Sequence, residues 1–153
     1  MYLQPGTHPL RIIPAGARNA RPGRCERLGG RRQRDGEGKA LRILCVDDDD
    51  LVLAVTADLL RALDHEVTEA IGGSRAAELI GTDIPFDLLV TDIHMPGGPG
   101  GADLAALARS TRPDLPVIYF SGIDSTAPAG IADPVLRKPC RLGELQRAIA
   151  GLA

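Results

Sequence analysis

The chain has 153 residues, 44% of them hydrophobic and only 3% aromatic, with a formal net charge of −2. That is enough apolar material for one domain with an aliphatic core. No apolar run approaches the ~20 residues of a membrane span, and the amino terminus lacks the apolar centre of a secretory leader, so neither membrane insertion nor export is expected.

Two unlike parts make up that charge. Residues 1–39 carry nine basic and three acidic groups, a net +6, with seven glycines, four prolines and no apolar periodicity. Such a segment buries too little to offset its ordering entropy, so it is expected to be a disordered basic extension. It holds no aromatic beyond Tyr2 to stack on bases, and nucleic acid is not an expected partner. Residues 40–153 carry nine basic and seventeen acidic groups, a net −8, and are expected to form the folded domain.

From position 40 the pattern is regular. Residues 41–46 are apolar apart from Arg42 and read as a buried strand, with Cys45 packed as a small apolar residue. Residues 51–63 carry apolar side chains at 52, 55, 59, 60 and 63, a helical stripe. A short strand at 66–70 and a short helix at 74–80 follow. Residues 86–91 read as a third strand and 97–101 as a glycine-rich loop. A helix at 102–110 is expected to turn Leu104 and Leu107 inward. Residues 116–120 form a fourth strand, 122–133 a loop rich in Gly, Pro, Asp and Ser, and 135–136 a brief fifth strand. A closing helix at 142–152 bears Leu142, Leu145, Ile149 and Leu152. Strands alternating with helices predict an α/β fold, a doubly wound parallel sheet with helices on both faces. Ligands of such sheets bind at the carboxyl ends of the strands.

Polar groups gather at those ends. Asp47 and Asp48 follow strand one, Asp92 ends strand three, Ser121 strand four, and Lys138-Pro139 strand five. Asp48 and Asp92 can share a hard cation, with Asp47 helping directly or through water, and magnesium is the expected ion where a phosphate is also present. Asp92 can act as nucleophile toward a phosphoryl group. Lys138 can offset charge on the phosphoryl oxygens, and Ser121 can donate its hydroxyl to one of them. Asp49 and Asp50 read as acids at the start of the following helix. The three cysteines, Cys25, Cys45 and Cys140, show neither metal spacing nor a disulfide framework, which suits a reducing, cytoplasmic location.

The pattern Ile43-Leu44-Cys45-Val46-Asp47-Asp48, then Thr91-Asp92-Ile93-His94-Met95-Pro96, then Ser121-Gly122 and Lys138-Pro139, closely resembles the receiver domain of two-component response regulators. The resemblance spans residues 40–153. It implies a five-stranded flavodoxin-like fold and transfer of a phosphoryl group to Asp92 from the phosphohistidine of a sensor histidine kinase or a histidine phosphotransfer protein. It also implies magnesium held by Asp48, Asp92 and the backbone carbonyl of His94, with Asp47 assisting. Ser121 and Lys138 would grip the phosphoryl group, and the peptide between Lys138 and Pro139 would be cis. Catalysis beyond its own phosphorylation and dephosphorylation is not expected of such a domain.

Three departures bear on output. The segment between Ser121 and Lys138 is shorter than in the family, so the family's fourth helix is expected to be shortened or missing. Val135 stands where the family carries an aromatic switch residue, and Cys140 where Phe is common. No output domain follows the motifs, so a stand-alone phosphorelay component acting on a downstream protein is expected, its oligomeric state left open. Two alternatives stand beside this reading. One is a pseudo-receiver that binds protein without phosphate. The other is a haloacid-dehalogenase-like phosphatase, which Asp47 and Asp49 match loosely but which needs a further acidic pair where only Glu144 follows Lys138.

Overall fold

The computed structural model describes residues 39–122 and 129–152. The expected disordered extension, apart from Lys39, lies outside the described residues, as do residues 123–128 of the expected loop. The elements in chain order are β1 (Arg42–Asp47), α1 (Asp50–Ala62), β2 (Glu66–Ile71), α2 (Gly72–Ile80), β3 (Leu88–Asp92), α3 (Gly101–Thr111), β4 (Val117–Ser121), β5 (Val135–Arg137) and α4 (Leu142–Ala150). The five strands form one parallel sheet in the order β2-β1-β3-β4-β5. This is the flavodoxin-like order, with the winding direction reversing between β1 and β3. Residues 129–134 hold no helix, and the rest of the stretch expected to lack the family's fourth helix lies outside the described residues. No helix among the described residues is long and apolar enough to cross a membrane.

Strand alternation explains the two cores. Ile43 and Cys45 point to one face of the sheet, where Leu53 and Leu60 of α1 and Leu145 of α4 cover them. Leu44 and Val46 point to the other, against Ala76 and Leu79 of α2 and Leu104, Ala105 and Ala108 of α3. A strand segment buried on both faces must be apolar, which is why residues 43–46 of β1 and 88–90 of β3 read as unbroken runs. Each leucine so buried contributes roughly 1.5–3 kcal/mol.

Two helix faces differ from expectation. The buried side of α1 is Leu53, Thr56, Ala57 and Leu60, while Val55 is 53% exposed. The apolar stripe and the buried stripe of that helix are rotated from each other, because Leu51, Val52 and Val55 line a surface groove instead. On α3, Ala105 and Ala108 join Leu104 in the core and Leu107 is 43% exposed. In α4 only Leu145 is fully buried, and Leu142 lies at the exposed start of the helix.

Arg42, the one break in the β1 run, has its own partner. Its Nε and Nη2 donate to Asp87 Oδ2 and Oδ1 at 2.9 and 2.7 Å, and its backbone N–H adds a third bond at 3.0 Å. The side-chain and backbone bonds from Arg42 hold the Asp87 carboxyl at about 2, well below the ordinary value. The amino ends of β1 and β3 are thereby tied together.

Candidate functional site

Asp47 closes β1 and Asp92 closes β3, on neighbouring strands at the point where the winding reverses. The chain runs away to β2 from one and to β4 from the other, which opens a crevice above the two carboxylates. The apolar strands bring them there: β1 and β3 are anchored in both cores up to Val46 and Thr91, so the next residue of each must emerge at the edge.

Local bonds then fix each carboxylate. Asp47 is 4% exposed, and its Oδ1 accepts the Asp49 N–H at 2.9 Å. Asp49 caps α1, its Oδ1 accepting from the N–H groups of Leu51 and Val52 at 3.0 and 3.1 Å. Asp50 follows in the first helical turn, where a negative charge is favoured. Asp48 lies between these anchored neighbours and is exposed. One oxygen from each of Asp47, Asp48 and Asp92 lies within 4.8 Å of the others.

The cation among them comes from the far end of the fold. The Lys138 N–H donates to the Ser121 carbonyl at 2.9 Å, extending the β4–β5 ladder by one bond, and the Lys138-Pro139 peptide is cis. From there Nζ donates to Asp47 Oδ2 at 2.5 Å and to Asp92 Oδ2 at 3.0 Å. Burial opposes the lysine's charge. The hydrogen bonds and attraction from Asp47 and Asp92 outweigh it, so Lys138 is held above its ordinary value and stays protonated. The link to Asp47 joins residues 91 positions apart, and nothing in the local sequence signals it.

Ser121 ends β4 beside Asp92, 2% exposed, with its hydroxyl donating to the Gly122 carbonyl at 3.1 Å. His94 is exposed, and among the described residues its ring is not part of the converging set. Burial, with Asp47 and Glu69 nearby, pushes the Cys45 thiol up to about 12, so it packs rather than reacts. Cys140 is half-buried, and its thiol donates to the Arg141 carbonyl at 3.5 Å.

Two positioning residues are not legible as such in the sequence. A Cβ on Gly101 would lie 2.3 Å from the Asp92 carbonyl oxygen, so only glycine lets α3 start directly behind the Asp92 backbone. Thr91 is fully buried and donates its hydroxyl to the same carbonyl at 3.0 Å. The glycines around position 100 signal a loop, but not which backbone atom they make room for.

The chain matches the model of the response regulator receiver domain over residues 43–150. It is 36% identical to the two-component response regulator ORR22 of rice over 75% of this chain and 17% of that protein. It is 38% identical to the response regulator MprA of Mycobacterium leprae over 73% of this chain and 50% of that protein. The chain thus spans half or less of these relatives' length. Among solved structures it resembles a response regulator receiver protein from Sinorhizobium medicae, with a TM-score of 0.66, 29% identity, and coverage of 74% of this chain and 94% of that one. A putative response regulator from Chloroflexus aurantiacus gives a TM-score of 0.64 at 29% identity, covering 74% and 98%. The fold order agrees with these matches, and the chain belongs to the response regulator receiver domain family of two-component signalling.

Proposed function

We propose that residues 40–153 act as a phosphoacceptor in a two-component pathway, with Asp92 taking a phosphoryl group from the phosphohistidine of a histidine kinase or a histidine phosphotransfer protein. The observation that carries this reading is the joint placement of Asp92 within hydrogen-bond reach of Lys138 and within 4.8 Å of the Asp47 and Asp48 carboxylates. A carboxylate oxygen of Asp92 attacks phosphorus, the P–N bond breaks, and its electron pair stays on the imidazole. Lys138 is already protonated and bonded to Asp92, so it can follow charge onto the phosphoryl oxygens without a proton transfer. Ser121, at the adjacent strand end, is placed to reorient its hydroxyl toward the modified carboxylate.

The donor set fits a hard divalent cation. All three side chains offer oxygen, and three carboxylates against one lysine leave a net charge of −2. Asp48, Asp92 and the His94 backbone carbonyl would hold magnesium, with Asp47 assisting; when bound it would neutralise charge on the transferring phosphoryl oxygens. The groove lined by Leu51, Val52 and Val55 of α1 reaches Lys138 and Gly122 and gives the donor protein an apolar surface beside the acceptor. The chain's own output is read as contact with a downstream protein in the cytoplasm.

Phosphoramidate, whose P–N bond mimics phosphohistidine, tests the reading. Incubation with magnesium, borohydride reduction of the acyl phosphate and peptide mapping should place the modification at position 92. Asp48→Ala should weaken magnesium binding at least tenfold. Label at another residue would reject Asp92 as the acceptor, and no label under conditions where magnesium binds favours the pseudo-receiver alternative.

A further inference from the structure

The loop that follows Asp92 is fixed at its base. The Gly101 N–H donates to the Ile93 carbonyl at 3.1 Å and closes residues 94–100 into a compact turn, and the Ile93 N–H donates to the Phe120 carbonyl at 3.0 Å. Ile93 and Met95 are buried in the core on the side of the sheet covered by α2 and α3, and exposed His94 stands between them.

The far side of the loop rests on the first turn of α2. A Cβ on Gly73 would lie 1.9 Å from the Pro99 carbonyl oxygen and 2.9 Å from its carbon, and both atoms are backbone. From the loop side, a Cβ on Gly98 would lie 2.8 Å from Ser74 Oγ and 3.1 Å from Ser74 N. Backbone meets backbone across this contact, with a glycine on each side, because only glycine permits so close an approach. Ile71, the N-cap of α2, offers no side-chain hydrogen bond. The Pro99 oxygen instead brings the negative end of a carbonyl dipole to the positive end of that helix. Ala76 and Leu79 anchor α2 in the core, so the seat itself is rigid.

We propose that Gly73 is a positioning residue for the magnesium site. The first turn of α2 sets where the 94–100 loop lies, and that loop carries the His94 carbonyl. The inference rests on the phosphoacceptor reading, in which Asp48, Asp92 and the His94 carbonyl hold the ion. A side chain at position 73 pushes Pro99 off α2. The base is held at Ile93 and Gly101, so the loop must turn about it and carry position 94 along. Groups that orient a ligand in this way act on metal affinity without touching the metal. The coupling is reciprocal: an ion that fixes the loop also steadies the first turn of α2.

Magnesium titration calorimetry of the full chain tests it. Gly73→Ala should weaken binding at least tenfold at a temperature where circular dichroism shows it folded. Glu78→Gly weakens the same helix from its exposed face and should change affinity less than twofold. If Gly73→Ala does not fold, Gly98→Ala should lose at least threefold, and adding Ser74→Ala, which removes the nearest atom, should restore much of that loss. Amide exchange supplies a second readout. Magnesium should slow the N–H groups of Ala76, Ala77 and Glu78, which close the first turn of α2, in wild type and not in Gly73→Ala. Wild-type affinity in folded Gly73→Ala, no restoration by Ser74→Ala, or exchange in α2 indifferent to magnesium would overturn the proposal alone. No magnesium binding by wild type would overturn it together with the reading on which it rests.

Discussion

Two charged clasps tie β1 to the β3 segment, one at each pole of the sheet, and they differ in how their charges add up. At the amino pole Arg42 and Asp87 meet as a fork, one cation for one anion, with both carboxylate oxygens engaged. At the carboxyl pole a single lysine spans Asp47 and Asp92 with Asp48 nearby, one cation for three anions. The first is complete as it stands. The second is left in electrostatic deficit, and a deficit of that sign favours a divalent cation. The same strands therefore carry a balanced joint at one end and an unbalanced one at the other.

The largest expected effect comes from removing the lysine. Lys138→Ala leaves Asp47 and Asp92 side by side with no cation, and should cost about 3 kcal/mol of stability in chelator, as for breaking a partly buried pair. Magnesium should restore much of that loss, whereas it should barely stabilise an Arg42 variant; urea titrations with and without the ion compare the two. Because Lys138 is held above its ordinary 10.5, its contribution is fully present at neutral pH and is lost only as pH rises through that raised value.

Gly101→Ala presses a methyl group onto the Asp92 carbonyl and should cost about 1–3 kcal/mol. It should also slow phosphorylation more than it lowers stability, since the displaced backbone carries the acceptor. Arg42→Ala should cost less, because both partners face solvent and are screened. The Asp87 carboxyl sits at about 2 against an ordinary 3.8, so the difference between wild type and variant should be present above pH 3.8 and vanish as pH falls through 2.

The smallest effect also belongs to the amino pole. The His65 Nδ1 accepts the Leu41 N–H at 3.3 Å, and burial lowers its pKa against the opposing pull of Asp64. Protonation thus favours the unfolded chain, and stability should fall slightly as pH drops below 6.5. His65→Gln should flatten that slope without touching phosphorylation.

Much of this was legible in the sequence. β1, β3 and β4 are buried on both faces, so their apolar runs name them without ambiguity, and their ends name Asp47, Asp92 and Ser121. Less legible were the helix faces. Val55 and Leu107 are as apolar as any core residue, yet Thr56, Ala57 and Ala108 take the buried positions on the helix faces turned to the core. Least legible was how Lys138 is shared. Its motif points to the phosphoryl group, but its bond to Asp47 depends on β5 joining β4 and on the Lys138 N–H reaching Ser121, which only the assembled sheet provides.

The central claim is that the unbalanced pole accepts a phosphoryl group on Asp92. Intact-protein mass after incubation with acetyl phosphate and magnesium tests it directly, with wild type and Asp92→Ala side by side. A gain of one phosphoryl mass in wild type and none in the variant is the predicted result. An equal gain in both proteins, or no gain in wild type with magnesium bound and beryllofluoride failing to form a complex, would contradict it.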